Sequence, residues 1–149
     1  MNLFTDTDRG WSGLEQLRAL LGAPRWPKIG SVLHFALTEL DVGRAVFEGV
    51  PDENVYNPLG VVHGGYAATL LDSACGTAVH SSLSASQAYT TLELKVQYHR
   101  AITLATGRVR AEGKLLTLGR RVAFAEGRLV DAQGRLHASA TSTVLVFDR

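Results

Sequence analysis

Cysteine occurs once in this 149-residue chain, at Cys75, which excludes an intrachain disulfide framework and a cysteine-rich zinc site. An excess of either charge is also missing. The 15 Lys and Arg stand against 14 Asp and Glu, a formal net charge of +1, so no global field draws the chain toward nucleic acid or a membrane surface. Long apolar runs are absent too. The richest stretch, residues 66–79, is too short to span a bilayer and contains Asp72. Residues 1–10 are polar and acidic, without the basic and apolar regions of a leader, and the expected location is cytoplasmic. No internal repeat, low-complexity segment or linker divides the chain, so residues 1–149 read as one domain, with 1–30 as an N-terminal helical extension. There is no Gly-x-Ser-x-Gly elbow, phosphate-binding loop or dinucleotide fingerprint. Ser73 is adjacent to Asp72 and faces a different way on a helix, which argues against a Ser/His/Asp triad. His34, His80, His99 and His137 lack metal-ligand spacing, and no metal or cofactor is expected.

What is present is a globular composition, 46% hydrophobic and 19% charged, with a readable order of elements. Ser12-Gly13-Leu14-Glu15 has capping-box spacing, and Leu14, Leu17 and Leu21 follow at helical intervals with Leu20 beside them, up to Gly22 and Pro24. This predicts an accessory helix at the domain edge, with Trp11 and Trp26 as packing residues or part of an oligomer contact. Leu33, Phe35 and Leu37 alternate with polar or small residues, Asp41-Val42-Gly43 forms a turn, and residues 44–50 return as the second strand of a hairpin. A loop over 51–60 leads to a helix over about 64–81. Leu92, Leu94, Val96 and Tyr98 then alternate with Thr91, Glu93, Lys95 and Gln97. Further strands are expected at about 104–112, 120–130 and 135–147, with turn regions at 113–119 and 131–134. Consecutive strands with short connections imply an α+β fold, an antiparallel sheet curled around one long helix.

The central segment carries the chemistry. Asn57-Pro58-Leu59-Gly60-Val61-Val62-His63-Gly64-Gly65 leads into a helix containing Ala67, Ala68, Leu70, Leu71, Ala74, Cys75, Ala78 and Val79. A helix apolar on nearly every face is normally buried. Asp72 in its middle must be paired, hydrogen-bonded or functional, because burying a bare carboxylate costs several kcal/mol, by order of magnitude. Ala68, Asp72 and Gly76 share one face, leaving space beside the carboxylate. Gly64 and Gly65 would let a ligand approach backbone N–H groups at the positive end of the helix dipole. His63 and Asn57 either orient that turn or the substrate, or serve only as a loop-bonding histidine and a turn residue. Cys75 in an apolar helix reads as packing.

The motif Asn-Pro-x-Gly-x-x-His-Gly-Gly, with Asp72 seven residues after Gly65, resembles the hotdog-fold acyl-CoA thioesterases, most of all the phenylacetate-pathway (PaaI-like) type. The resemblance runs from about Val32 to Phe147 and includes Thr90-Thr91-Leu92-Glu93-Leu94 and Leu118-Gly119-Arg120-Arg121-Val122-Ala123-Phe124. It implies a six-stranded antiparallel sheet around a central helix and hydrolysis of an acyl-CoA, with phenylacetyl-CoA-like aromatic acyl groups among the candidates. It also implies that Asp72 is the catalytic carboxylate and that Thr91 helps hold the attacking water. Amides at Gly64 and Gly65 would polarise the carbonyl, with His63 and Asn57 beside it. Backbone around Gly119 would contact the pantetheine arm. Sites shared between two protomers and a dimer-of-dimers homotetramer complete the implied picture.

Two roles remain open for Asp72, general base on water or nucleophile forming a mixed anhydride. Arg100, Lys114, Arg120 and Arg121 are candidate contacts for the coenzyme A phosphates, against a reading as ordinary solvated charge. Competing readings are a hotdog hydratase or dehydratase, and an acyl-CoA-binding module without turnover. Gly64 and Asp72 are eight residues apart, about 12 Å along a helix, so one copy of the motif would not close around one carbonyl.

Overall fold

The computed structural model describes residues 10–21 and 27–149. Its helices are α1 (Gly13–Leu20), α2 (Lys28–Val32) and α3 (Gly64–His80). The strands are β1 (Phe35–Asp41), β2 (Arg44–Gly49), β3 (Gln87–Tyr98), β4 (Val109–Leu118), β5 (Val122–Asp131) and β6 (Leu136–Asp148). All pairings are antiparallel, in the order β1-β2-β4-β5-β6-β3. The sheet curves around α3, which contacts every strand. This is the α+β architecture expected from the sequence.

The first helix starts as predicted. Ser12 Oγ accepts from the Glu15 amide at 3.4 Å and the Glu15 carboxylate accepts from the Ser12 amide at 2.8 Å. The expected stop at Gly22 and Pro24, and the role of Trp26, lie outside the described residues. Three boundaries differ from expectation. Leu33 caps the short α2 rather than opening a strand. Residues 104–106 form a single 3-10 turn, and the strand begins at Val109. Residues 113–118 are strand rather than turn. Gly113 faces α3, and a Cβ there would collide with the Ala74 carbonyl. Its glycine marks a close approach of helix to sheet, not a bend.

α3 buries Tyr66, Ala67, Leu70, Leu71, Ala74 and Ala78 against Phe35, Phe47, Val109, Ala111, Leu129 and Ala138. Nearer its C-terminal end, Cys75 and Val79 meet Ala123, Ala125, Val144 and Val146. Each buried leucine contributes about 1.5–3 kcal/mol. The helix is not apolar on every side. Gly65 is exposed and Ala68, Thr69, Asp72 and Ser73 are half-buried, a stripe at i, i+3, i+4, i+7 and i+8 that the sheet leaves uncovered.

Strand β3 contains a bulge. Thr91 pairs with Val144 and Glu93 with Thr143, so Leu92 is an extra residue. The bulge switches the phase of the strand. Before it, Tyr89 and Thr91 are half-buried; after it, Leu94 and Val96 are, and Leu92 is 58% exposed. The unbroken alternation read from the sequence is therefore two shorter ones out of step.

Candidate active site

The loop before α3 is fastened on three sides. Asn57 Oδ1 accepts from the Leu59 amide at 2.9 Å and the Val61 amide at 3.4 Å, an Asx turn. His63 N–H donates to Val55 O at 2.7 Å and Val62 N–H to Ile102 O at 2.9 Å. Asn57 thus organises the turn through its carbonyl, and its side-chain NH2 has no partner among the described residues. The loop segment just before Ile102 is held by His137. His137 O accepts from the His99 and Arg100 amides, while its ring bridges Ala101 O at 3.1 Å and Asp131 Oδ2 at 3.1 Å. Both His137 and Asp131 are buried. Burial alone would raise the Asp131 carboxyl, but hydrogen bonds from His137, from the Arg135 amide and guanidinium and from the Gln133 amide hold it well below the usual carboxylate range.

His63 is the N-cap of α3. Its Nδ1 accepts from the Gly65 amide at 2.9 Å, which places the ring proton of the neutral form on Nε2. The Gly65 N–H is therefore already engaged, and among the described residues it is the Gly64 N–H that has no acceptor. The Tyr98 hydroxyl donates to Gly64 O at 3.0 Å, and its ring covers Gly64 so closely that a Cβ would sit 3.0 Å from it. His63, Gly64, Tyr98, His99 and Arg100 line one hollow at this end of the helix.

Asp72 stands further along α3 on the uncovered stripe. Thr91 Oγ1 donates to Asp72 Oδ1 at 3.0 Å. The β3 bulge makes this contact, because it turns Thr91 toward the helix while leaving Leu94 and Val96 in the core. The two side chains open on a cavity of about 280 Å³ lined by Phe35, Phe47, Ser73, Gly76, Thr77, His80 and Tyr89, with Leu17, Leu20, Pro27 and Ile29 beyond. Its walls include two edge-to-face ring pairs, Phe35 with Phe47 at 5.8 Å and His80 with Tyr89 at 5.5 Å. Burial, then the Asp72 charge, pushes the Tyr89 hydroxyl up to about 12. The same causes, joined by Glu126, push the Cys75 thiol up to about 12, so Cys75 is a neutral packing residue at pH 7. Burial, then Arg149, lowers His80 to about 4 and keeps it uncharged. Among the described residues, no three His, Cys, Asp or Glu side chains stand close enough to share a metal ion, and no helix is long and apolar enough to cross a membrane.

The candidate phosphate contacts do not converge within one chain. Arg100 lies beside the α3 N-terminus. Gly119, Arg120 and Arg121 form the β4–β5 turn at the opposite end of the sheet, where the Gly119 amide donates to Val122 O at 2.9 Å. Lys114 is neither at a strand end nor in a turn. It lies within β4, and its Nζ pairs with Glu112 Oε1 at 3.0 Å. Sequence reasoning missed Tyr89 and Tyr98 as site residues. Tyr98 stands at the apolar end of the β3 alternation and Tyr89 lies before that alternation starts, and periodicity alone cannot tell a core tyrosine from one that lines a cavity.

Residues 59–138 match the family described as the thioesterase superfamily. The proofreading thioesterase EntH of Klebsiella pneumoniae is 31% identical over 98 residues, 66% of this chain and 70% of that protein. Among solved structures, a phenylacetic acid degradation-related protein from Ralstonia eutropha superposes with a TM-score of 0.77 at 27% identity, covering 87% of this chain and 97% of the other. The phenylacetic acid degradation protein PaaI from Thermus thermophilus gives 0.73 at 28% identity, covering 80% and 98%. The matched region contains the α3 N-terminus, Asp72 and Thr91, and the shared architecture is the hotdog fold; this chain belongs to the thioesterase superfamily.

Proposed function

We propose that this thioesterase hydrolyses an acyl-CoA whose acyl group is apolar and aromatic, using Asp72 as its catalytic carboxylate. The observation that carries the reading is the 3.0 Å contact between Thr91 Oγ1 and Asp72 Oδ1 on the wall of a largely apolar cavity. A carboxylate there can take a proton from water as the water attacks the thioester carbon. Thr91, already bonded to one carboxylate oxygen, is in reach of the same water. Coenzyme A departs as a thiolate, so the step needs charge stabilisation at the carbonyl oxygen more than a strong acid. One positioned donor is worth about 3–4 kcal/mol in such sites, and the unengaged Gly64 N–H, with His63 Nε2–H beside it, fits that role. The alternative step, direct attack by Asp72 to form a mixed anhydride, uses the same residues.

The aromatic preference rests on the four rings along the cavity and on the phenylacetic acid degradation roles named for two relatives. The volume of about 280 Å³ is roughly twice that of a protein cavity that accepts benzene. It leaves space for a ring and a short chain.

Gly64 and Asp72 are separated by two helical turns, about 12 Å, so the donor serving one Asp72 comes from another protomer. Strand β3 lies at the sheet edge, with its outer side unpaired among the described residues. Antiparallel pairing of two β3 edges about a two-fold axis reverses the direction of the partner's α3 and carries its N-terminus toward this chain's uncovered stripe. The proposed catalytic unit is a homodimer, and the proposed working compartment is the cytoplasm.

The direct test is Asp72→Asn assayed by thiol release over a panel of acyl-CoAs. Turnover is expected to fall by about a thousandfold or more, with acyl-CoA affinity retained. Near-wild-type turnover in that variant would remove Asp72 from the mechanism.

A further inference from the structure

The cavity beside Asp72 is lined at its far end by a part of the chain outside the matched family region of residues 59–138. It follows one face of α3 from Asp72 past Gly76 to His80, positions i, i+4 and i+8. That run is about 12 Å long. Gly76 keeps the passage open: a Cβ there would lie 2.9 Å from the Tyr89 ring. At the end stand Leu17 and Leu20 of α1.

α1 is seated as a wall, not as a loose extension. Gly13 N–H donates to Leu83 O at 2.9 Å, and any side chain at Gly13 would collide with the His80 carbonyl. Gln16 is 1% exposed. Its Oε1 accepts from His80 Nε2 at 3.1 Å and from Arg149 Nη2 at 3.2 Å, and its Nε2 donates to Trp11 O at 2.8 Å. One buried amide thus ties α1 to the end of α3 and to the C-terminus of the chain. Leu17, the next residue, is 6% exposed. With the backbone of α1 fixed at Gly13 and Gln16, the two leucines have little freedom to retreat from a long acyl group.

We infer that Leu17 and Leu20 of the docked α1 helix set the longest acyl group this enzyme turns over. The inference rests on the thioesterase reading of the Asp72 cavity and adds to it a length determinant from the N-terminal extension. Substrates short enough to end before α1 react well. Longer ones must displace Leu17 or Leu20, and lose reactivity because their carbonyl is held back from Asp72.

The test compares kcat/KM by thiol release across two series on the 149-residue chain. One runs from acetyl-CoA to palmitoyl-CoA, the other through phenylacetyl-, phenylpropionyl- and phenylbutyryl-CoA. Leu17→Ala and Leu20→Ala enlarge the end of the cavity, and Leu20→Trp fills it. The readout is the ratio of kcat/KM for long and short substrates within each variant, which does not depend on the fraction of protein folded. Both alanine variants are expected to raise the long-to-short ratio by about tenfold or more, and the tryptophan variant to lower it. Profiles that keep the wild-type shape in all three variants, scaled by one factor, would overturn the end-wall assignment while leaving the role of Asp72 intact. A wild-type enzyme that releases no thiol from any member of either series would overturn the Asp72 reading, and this inference with it.

Discussion

Thr91 and Asp72 meet through a single hydroxyl, and that hydroxyl can be removed without changing much volume. Thr91→Val keeps the β-branched shape of the strand residue but leaves the carboxylate without its 3.0 Å donor. A hydrogen bond to a charged group is worth about 1.5–3 kcal/mol, so kcat is expected to fall about 10–100-fold, with KM little changed. Thr91→Ser should recover most of it. Steady-state kinetics on one acyl-CoA decide the matter, and equal loss in the serine and valine variants would mean that strand packing, not the hydroxyl, is what matters. Cys75 gives the opposite expectation. Its thiol is buried at 0% exposure and pushed up to about 12, so thiol reagents should modify it only on unfolding, and Cys75→Ala should keep the wild-type pH–rate profile. Rapid native labelling would contradict the packing role.

Strands and helices here are tuned by small departures from regularity. Gly113 lets β4 lie against Ala74, so Gly113→Ala is expected to cost about 3 kcal/mol or more through overpacking, read as a lower urea midpoint at unchanged slope. The buried Asp131–His137 pair fastens the β5–β6 end to the segment beneath the α3 N-terminus. The folded Asp131 carboxyl titrates below its ordinary value of 3.8, so its stabilising contribution is complete at neutral pH and is lost as pH falls through and below that value. Thermal melts of the wild type and Asp131→Asn should differ most at neutral pH, and the difference should begin to shrink only as pH falls below 3.8. These features also mark how far the sequence could be read. The capping box at Ser12, the α3 span and the hairpin around Val42-Gly43 were legible because caps, helical period and turn residues act locally. Gly113 was read as turn because a glycine in a strand looks the same whether it bends the chain or admits a helix. The inward turn of Thr91, a residue for which only the family resemblance implied a role, was not legible in the strand alternation. It depends on the extra residue Leu92, and a bulge appears only once β6 supplies the register. Gly64, Gly65, His63 and Asp72 were legible as a set, but not that His63 engages the Gly65 amide.

At the scale of the molecule, the uncovered stripe of α3 and the open edge of β3 raise the same question: what completes the site. β3 is 12 residues long, with Leu92 and Tyr98 58% and 57% exposed, and a long edge of this kind invites pairing with another strand. The shared-site arrangement can be tested with two inactive variants. Asp72→Asn removes the carboxylate. Gly64→Pro removes the unengaged N–H at the first position of α3, where the backbone suits proline and the preceding His63 has ψ 135°, while the exposed Tyr98 ring, 3.0 Å from where a Cβ would stand, must swing aside to admit it. The two are expected to be inactive alone. Unfolded together and refolded as a mixture, they form heterodimers in which one site pairs the intact Asp72 of one protomer with the intact Gly64 of the other, while the second site carries both lesions. Half of the dimers are then mixed and half of their sites are whole, so activity should recover to roughly a quarter of wild type. If each chain instead built its own site, every site in the mixture would contain one lesion, and the mixture would stay as inactive as its parts.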